Sequence, residues 1–483
     1  MFAEPIAYHA VNMPDAPAVR LPNGHIPFRR LNHLVQVLAA TLAERVPEGS
    51  IVALRFDDLF LHWLAILALS RLRMTSVSMS DAMPLPPAIR SRVKAICGDG
   101  SLDISAGEIA ITADRSWLRE AARRAPVVLT AAKPRLDDVA RLVLSSGTTG
   151  APKAVGLTHN TAIQRMRTGV FGQVMRHDTR LLARIGPSTG GGFIAPLRTW
   201  WFGGTVCLVE ASPENLRALD VRALLVSPAQ LRDVIRRLPR DFEPLPNLTV
   251  LAGGTALPLR LNAQARRRLT PNIVMTYGST ETGTAAVART SLLEADPSVT
   301  GIVLPWVDVE VLDEGGKVLP AGEFGNIRIR SNEMVHEYFG DADATASHFR
   351  DGWFYSGDVG SVAADGKLRL LGRSDDVLNF GGAKISPRLL EDEVAKHDAV
   401  VDQAAFAAPH SSGLSLPWVA VVVSGAFDTE AAAADLKAAF PWLTVPTNFV
   451  VVDSIPRNDM GKPDRTRLQA LAAASLQKAG ATQ

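Results

Sequence analysis

The sequence predicts an α/β protein whose C-terminal end forms a smaller α+β unit. Short β-branched apolar runs alternate with segments of helical periodicity up to about residue 295. Strand-like segments separated by Asp-Gly and Gly-Gly turns follow, and a mixed helix and strand pattern ends the chain. Alternation of the first kind is typical of layered subdomains with largely parallel strands. The chain has 483 residues, 47% of them hydrophobic, which allows two to four folding units.

The first part of the chain is expected to form the layered α/β subdomains. Its predicted strands are Ile51–Leu54, Leu142–Leu144, Val206–Val209, Leu224–Val226, Val250–Ala252 and Ile273–Thr276. Its predicted helices include Asn160–Met175, Ala229–Leu238 and Leu257–Leu269. Such strand and helix runs build a sheet covered by helices.

Two further units are expected after residue 295. A small β-rich subdomain, antiparallel or barrel-like, is predicted from strands at Val307–Leu312, Asn326–Arg330 and Lys367–Leu371. The elements predicted from Asp376 onward are a helix at Pro387–Lys396, strands at Val400–Ala407 and Trp418–Val423, a helix at Thr429–Phe440, a strand at Phe449–Val452 and a last helix after Pro463. These elements would form an α+β unit of roughly a hundred residues, the size of one domain.

Charge and cysteine content restrict the class of partner. The formal net charge is only +2, so nothing indicates binding to nucleic acid or to an anionic membrane. Cys97 and Cys207 are far apart, which fits a reducing compartment and two buried apolar side chains. The start of the chain lacks a leader pattern, and the apolar run Trp63–Leu69 is too short to span a bilayer. We therefore expect a cytoplasmic protein, monomer or homodimer, that acts on small molecules.

A loop suited to phosphate follows the strand-like run at Leu142. Its residues are Ser145, Ser146, Gly147, Thr148, Thr149 and Gly150, closed by Pro152 and Lys153. Glycines let backbone N–H groups approach an anion, hydroxyls add donors, and the lysine supplies a counter-charge. The pattern is not a Walker A loop. A flexible Gly/Ser/Thr linker is the alternative for this loop taken alone.

Five more stretches follow in a characteristic order. They are Tyr277–Glu281, Gly352–Asp358, Gly372–Asp376, Gly381–Ile385 and Pro456–Lys462. With the phosphate loop, they make the chain resemble the adenylate-forming superfamily of acyl-CoA synthetases, peptide-synthetase adenylation domains and luciferases. The resemblance implies an AMP-binding domain at 1–374 with the acyl and ATP sites, and a mobile domain at 375–483 with a catalytic lysine. It places the hinge at Asp375.

The resemblance implies activation of a carboxylic acid by ATP. A carboxylate is a poor electrophile, so AMP is transferred to it and pyrophosphate leaves. The acyl group of the acyl-adenylate then passes to the thiol of CoA. Because anions meet in the first step, the site needs cations and in-line placement of the attacking oxygen. Two alternatives stay open: an enzyme that loads the phosphopantetheine of a carrier protein, and a non-catalytic scaffold that binds nucleotide or acyl groups.

Site residues follow from the same resemblance. The phosphate loop with Lys153 would hold the β- and γ-phosphates, Glu281 the magnesium ion, and Thr280 a phosphate oxygen. Tyr277 and Gly278 would lie at the nucleotide, together with the backbone of Gly254, Thr255 and Ala256. Asp358 would accept the ribose hydroxyls with help from Arg373, since an ionised carboxylate only accepts. Lys462 would stabilise the charge that builds in adenylation, and Gly382 would leave room for pantetheine.

The acyl pocket is the least specified part of the sequence. The segment that would shape it contains Ser188, Thr189, Gly190, Gly191, Gly192 and Phe193. It has no aspartate for a substrate amine, so an α-amino acid is disfavoured. The glycine triplet indicates a wide acyl or aromatic substrate, or alternatively a flexible turn before a helix with Trp200 and Trp201 in the core. Arg198 is expected on the surface of that helix, and the alternative is a contact with the second carboxylate of a diacid substrate.

Overall fold

The structure is a computed structural model of the chain. It describes residues 1–81, 83–125, 127, 129, 133–145, 152–168, 175–255, 257–296, 298–374, 378–380, 383–409, 415–441, 447–457 and 463–480. The helices of this described part are α1 (Glu4–Asn12), α2 (Phe28–Arg45), α3 (Leu59–Leu69), α4 (Pro87–Arg90), α5 (Arg115–Ala121), α6 (His159–Thr168), α7 (Gly190–Trp201), α8 (Pro213–Ala218), α9 (Pro228–Arg237), α10 (Leu259–Arg268), α11 (Thr290–Ala295), α12 (Ala342–His348), α13 (Pro387–Val394), α14 (Thr429–Ala439) and α15 (Arg465–Gly480).

The strands of the same residues are β1 (Pro17–Leu21), β2 (Gly24–Pro27), β3 (Ile51–Arg55), β4 (Thr75–Ser78), β5 (Val93–Gly98), β6 (Ile109–Thr112), β7 (Val139–Ser145), β8 (Lys153–Thr158), β9 (Arg180–Ala183), β10 (Thr205–Cys207), β11 (Ala223–Val226), β12 (Thr249–Ala252), β13 (Asn272–Ser279), β14 (Gly283–Arg289), β15 (Gly301–Val303), β16 (Val307–Leu312), β17 (Gly325–Ser331), β18 (Phe349–Arg350), β19 (Trp353–Val362), β20 (Lys367–Arg373), β21 (Leu378–Phe380), β22 (Ala383–Ile385), β23 (Val400–Pro409), β24 (Ser415–Val423) and β25 (Asn448–Val451).

Two large sheets carry the first part of the chain. One has six strands in the order β6-β5-β3-β4-β7-β8, and β8 is its antiparallel edge. The other has 14 strands; β1, β10, β9, β11, β12 and β13 are parallel neighbours, and from β14 onward the strands run antiparallel. The predicted α/β class is confirmed. The predicted β-rich strands continue the parallel sheet, because β14 pairs with β15 and β15 with β20.

The main core lies between these two sheets. Helix α3 is apolar around its whole circumference except for His62, rather than along one stripe, and this composition suits a helix that is buried on nearly all sides. Its Trp63 stacks on Phe193 with ring centroids 6.2 Å apart and meets Trp200 edge-on at 5.3 Å. Aromatic contacts of this kind add about 0.5–1.5 kcal/mol to the burial of the rings. These contacts hold α7 against α3. Helix α7 begins in the predicted acyl segment.

The opposite face of the parallel strands is covered by α8, α9 and α10. Helix α9 shows why the chain turns there: Ser227 and Gln230 form a capping box, and Pro228 occupies the first turn. The apolar face of α9 then packs on β11 and β12 through Leu231, Val234 and Ile235. Helices on both faces leave the carboxyl ends of the strands as the edge where ligands bind in such sheets.

The C-terminal elements form a three-stranded sheet, β23-β24-β25, with α13, α14 and α15 packed on it. Asp402 on β23 joins this unit to the first part of the chain, since its Oδ2 lies 2.8 Å from Arg232 of α9. Its Oδ1 lies 2.8 Å from Arg457, which precedes residues 458–462. The predicted hinge at Asp375 lies outside the described residues.

Burial confirms several predictions and corrects one. Cys97 and Cys207 are buried, and burial raises the pKa of each thiol, to about 12 and about 11 respectively. Trp200 is buried in the core as expected. The surface position expected for Arg198 is wrong: its side chain is buried where α7 packs on α6. Within the described residues no helix combines the length and the apolar character needed to cross a membrane.

Two buried histidines predict a loss of stability in acid. Burial lowers the pKa of His62 to about 3 and of His159 to about 4, both from 6.5. Both rings are therefore neutral in the folded protein, and their contribution to stability is lost as the pH falls from 6.5 towards those values. Each histidine accounts for about 1.4 kcal/mol of unfolding free energy per pH unit in that window.

The histidine prediction is checked by chemical denaturation at pH 6.5 and pH 5.0. His62→Gln is expected to reduce the acid-induced loss by about 2 kcal/mol relative to the wild type. His25→Gln, an exposed position on β2, is the control and is expected to leave the loss unchanged. An equal loss in His62→Gln and wild type would contradict the prediction.

Candidate active site

The phosphate loop is the connection of a hairpin. Ser145 at the end of β7 pairs with Lys153 at the start of β8, and the Ser145 hydroxyl donates to the Lys153 carbonyl over 3.3 Å. The hairpin thus holds both ends of the loop side by side. Ser146, Gly147, Thr148, Thr149 and Gly150 lie outside the described residues, so their phosphate contacts stay predictions.

Lys153 lies against two aromatic rings from a distant part of the chain. Its Nζ is 4.9 Å from the centroid of the Tyr338 ring and 3.4 Å from His348 Nε2. Burial lowers the pKa of His348, and the Lys153 charge lowers it further, so the ring is neutral at pH 7. Its Nδ1 donates to the Ala344 carbonyl, which leaves Nε2 to accept from Lys153.

Glu281 lies at the turn between β13 and β14. A Cβ at Gly278 would lie 2.0 Å from the Gly283 carbonyl oxygen, and Gly283 has a φ of +75°, so this turn requires both glycines. The Glu281 side chain is only 6% exposed, and the Tyr338 hydroxyl donates to its Oε1 over 2.9 Å. Tyr338 therefore brings Lys153 and Glu281 together; we call Lys153, Glu281, Tyr338 and His348 the Tyr338 cluster.

Asp358 and Arg373 face each other on neighbouring strands. They are register partners on β19 and β20, with Arg373 Nε 3.9 Å from Asp358 Oδ1. The Tyr277 hydroxyl donates to Asp358 Oδ2 over 2.6 Å, and burial together with this carboxylate raises the pKa of Tyr277. The Asp358 N–H donates to Ser356 Oγ. The structure thus joins three of the residues predicted for the nucleoside.

The turn after β12 lies beside the strand that carries Tyr277. A Cβ at Gly253 would approach the Thr276 hydroxyl to 2.7 Å, so only a glycine fits there without a shift. Gly254 has a φ of +91° and open space around its Cα. Gly254 and Thr255 therefore lie at the carboxyl edge of the sheet, as expected for an adenine site, whereas Ala256 lies outside the described residues.

The predicted acyl segment caps α7 and contacts the Glu281 turn. Thr189 is the N-cap, and its hydroxyl accepts from the Gly192 N–H over 3.1 Å. A Cβ at Gly192 would lie 2.0 Å from the Gly186 carbonyl oxygen. The close approach of these two backbone segments therefore requires a glycine at position 192. A Cβ at Gly190 would lie 3.4 Å from the Thr280 hydroxyl, whereas Gly191 is exposed with open space around it.

The remaining members of the predicted set are either buried to different extents or outside the described residues. Ser188 is partly buried in the segment, whereas the Phe193 ring is buried in the core against Trp63. Lys462, Gly382 and Asp375 lie outside the described residues. Arg457 and Pro463 form a bridge, so the ends of the lysine loop lie close together.

Comparisons with known proteins identify the family of the chain. Residues 6–339 match the AMP-binding enzyme family. The chain belongs to this family. It is 31% identical, over 73% of its length, to the medium/long-chain-fatty-acid–CoA ligase FadD8 of Mycobacterium tuberculosis, and it spans 64% of that relative. It is 28% identical, over 95% of its length, to the probable non-canonical nonribosomal peptide synthetase CymA of Salinispora arenicola, and spans 6% of it.

A solved structure shows the same fold. The ATP-bound structure of MatB from Rhodopseudomonas palustris superimposes with a TM-score of 0.85, covering 97% of this chain and 99% of MatB at 23% identity. The match extends over both the AMP-binding region and the C-terminal elements. The predicted membership in the adenylate-forming superfamily is confirmed.

The carboxylate of Glu281, near the phosphate hairpin, fits a magnesium ion. No three His, Cys, Asp or Glu side chains among the described residues group in a way that could hold a metal ion by themselves. Magnesium commonly takes one or two protein carboxylates and completes its shell with water and substrate phosphates. Glu281, next to the hairpin that carries the phosphate loop, is a carboxylate of that kind.

Sequence reasoning missed the roles of Tyr338 and His348. Both are remote in sequence from Lys153, and they reach it because the 338–339 segment docks along β8: Val155 bridges Tyr338, and the Phe339 N–H donates to the Ala154 carbonyl over 2.7 Å. A tyrosine and a histidine at this spacing have no periodic signal. Their proximity to Lys153 is visible only in the folded structure, where the 338–339 segment lies along β8.

The Tyr338 hydroxyl is expected to orient the Glu281 carboxylate. Tyr338→Phe keeps the ring beneath Lys153 and removes one hydrogen-bond donor from the buried Glu281 carboxylate. We therefore expect the binding of ATP in the presence of magnesium to weaken about tenfold. Fluorescent-nucleotide titration at fixed free magnesium measures this. Tyr8→Phe, whose ring is largely exposed, is the control. Equal affinities of Tyr338→Phe and wild type would refute the orienting role.

Asp358 is expected to set nucleoside affinity. Asp358→Asn replaces a carboxylate oxygen by a donor that cannot accept a ribose hydroxyl, so AMP binding should weaken about tenfold or more. Calorimetric titration with AMP, without metal, measures this. Asp365→Asn, in the exposed turn of the same β19–β20 hairpin, is the matched control and should bind AMP like the wild type. A wild-type affinity in Asp358→Asn would argue against the ribose contact.

Proposed function

We propose that this protein is an AMP-forming acid–thiol ligase that converts a carboxylic acid to an acyl-adenylate and then to a CoA thioester. One observation supports the proposal: the Tyr338 cluster, the Asp358–Tyr277–Arg373 group and the Thr189–Gly191 segment all lie against β13 or the Glu281 turn that follows it. These are groups for polyphosphate, nucleoside and acyl chain respectively. Membership in the AMP-binding family and the CoA ligase FadD8 as a relative support it.

The first half-reaction joins two anions. The substrate carboxylate oxygen attacks the α-phosphorus of ATP, the bond to the bridging oxygen breaks, and pyrophosphate leaves with that oxygen's electron pair. Lys153 and the loop amides would hold the β- and γ-phosphates, and Lys462 would stabilise charge on the α-phosphate oxygens. When bound at Glu281, magnesium supplies further neutralisation of the phosphates.

The second half-reaction transfers the acyl group. The CoA thiolate attacks the acyl carbon and AMP leaves as an anion, so no net oxidation occurs. In the proposal, residues 375–483 move as a domain about Asp375, and the loop around Gly382 replaces Lys462 at the site. A polar junction of the kind made by Asp402 supports such movement, because interfaces of this type separate readily.

A carrier protein is the second candidate acceptor. The match to the peptide synthetase CymA covers 95% of this chain, including the C-terminal elements, so it favours this alternative over a scaffold without activity. The two candidates share the adenylation half and differ only in what carries the thiol. The absence of an aspartate from the acyl segment supports an acid other than an α-amino acid in either case.

The deciding measurement is pyrophosphate release with ATP, magnesium and a panel of aliphatic, aromatic and dicarboxylic acids, with and without CoA. We expect acid-dependent release that rises with CoA. In Lys462→Ala it should fall by a hundredfold or more, on the order seen when one stabiliser of a developing charge is removed. Lys437→Ala, an exposed lysine of the same unit, is the control and should retain activity.

Each outcome distinguishes the candidates. Release that is independent of CoA, but is accompanied by acylation of a phosphopantetheinyl carrier protein, would establish the loading enzyme. ATP binding without release for any acid would favour the scaffold. Full activity in Lys462→Ala would contradict the assignment of the catalytic lysine.

A further inference from the structure

Arg165 of α6 holds the turn that carries Glu281. Its Nη2 donates to the Thr280 carbonyl over 2.9 Å and to the Glu281 carbonyl over 3.2 Å. Its Nε donates to the Glu333 carbonyl over 2.9 Å. The side chain is 3% exposed, and its hydrogen bonds to Thr280 and Glu281 go to their main-chain carbonyls rather than to the side chains assigned above to phosphate and magnesium. A single guanidinium therefore links the Glu281 turn to the segment that leads to Tyr338.

These carbonyls need a donor from outside the turn. The Thr280 and Glu281 carbonyls lie beyond the last regular pairing of the β13–β14 hairpin, and the second also accepts from the Val335 N–H over 2.8 Å. Buried carbonyls without a donor cost free energy comparable to a lost hydrogen bond. The planar fork of arginine reaches two segments at once, which a lysine ammonium does less well.

The charge of Arg165 is balanced inside the protein. Burial lowers its pKa to about 10, so it remains a cation at neutral pH. The buried Glu333 lies next to it, and the Trp306 indole donates to Glu333 Oε1 over 3.1 Å. A Cβ at Gly283 would approach Glu333 Oε2 to 2.6 Å. The pair is thus packed against the turn itself, where a shift of either residue would move the backbone.

Arg198 fixes Arg165 in turn. From α7 it donates to the carbonyls of Arg165 and Met166, with the Met166 contact at 3.1 Å. These carbonyls belong to the last turn of α6, where helix carbonyls lack partners within the helix. The α6 helix, which follows the phosphate hairpin directly, is thereby joined to the helix that begins at the acyl segment.

We propose that Arg165 is a positioning residue that sets the place of the Glu281 carboxylate and the Thr280 hydroxyl, and through them the magnesium dependence of nucleotide binding. The inference rests on the proposed ATP chemistry. Tyr338 holds the carboxylate end of Glu281 and Arg165 holds its main chain, so the two contacts fix both ends of one side chain. Displacement of about 1 Å at such a group is enough to weaken a catalytic arrangement strongly.

The test is ATP binding as a function of free magnesium, with no acid present, in Arg165→Met and Arg165→Lys. We expect the magnesium concentration for half-maximal binding to rise about 10- to 100-fold in Arg165→Met, the range for residues that orient a metal ligand. Arg165→Lys should lie between Arg165→Met and the wild type. Binding of AMP without metal should stay near the wild-type value in both variants.

Arg141→Met is the matched control. Arg141 is also a fully buried arginine, but it donates to Ser76, Ser78 and the Pro187 carbonyl and makes no contact with the Glu281 turn. Its loss should lower the melting temperature while the magnesium dependence stays as in the wild type. A shift in Arg141→Met as large as in Arg165→Met would show that buried arginines act here through stability alone, and would overturn the proposal.

A double-mutant cycle separates positioning from packing. Glu281→Gln removes the metal ligand, so Arg165→Lys added to it should cause little further change in magnesium dependence. Additive effects of the two substitutions on magnesium dependence would overturn the proposal. An unchanged magnesium dependence in Arg165→Lys would also overturn it, and this variant is the one to use if Arg165→Met fails to fold. A wild-type protein that does not bind ATP with magnesium would refute the proposed function itself, a result distinct from all of these.

Discussion

The arrangement of the site depends on one buried carboxylate whose two ends are held by different parts of the chain. Tyr338 donates to the side chain of Glu281, and Arg165 donates to its main chain. The same tyrosine ring lies beneath Lys153, and the same arginine donates to the Glu333 carbonyl. Because these contacts share partners, the positions of the phosphate hairpin, the Glu281 turn and the segment around Glu333 are set together rather than separately.

The electrostatics of the site follow from these shared contacts. Arg165 and Arg198 are buried next to Glu333, whose pKa is raised by burial although both arginines oppose that shift. Lys153 and Arg373 remain at the open edge. Interior cations that are already engaged, together with two further cations at the edge, support the proposed binding of polyphosphate, which brings several negative charges of its own.

The contact between the two parts of the chain has a different character. The AMP-binding region is held by aromatic and aliphatic packing between sheets, whereas Arg232, Asp402 and Arg457 meet through charge at a partly buried junction. A partly buried ion pair loses much of its attraction to the cost of removing both charges from water. Such a junction defines an orientation without fixing it strongly, and Asp402 couples that orientation to Arg457. This supports the proposed movement of residues 375–483.

By itself the sequence determined the α/β class, most of the strands and helices, and which loops carry glycine, hydroxyl and lysine chemistry. Those features are local: periodicity and turn residues act over a few positions. Tertiary structure alone decided that Tyr338, His348 and Arg165 join Lys153 and Glu281, because these contacts cross long stretches of chain and have no periodic signal. It also decided that Arg198 is buried. A helical pattern shows which face is apolar, but not that a neighbouring helix end offers its carbonyls to an arginine on the other face.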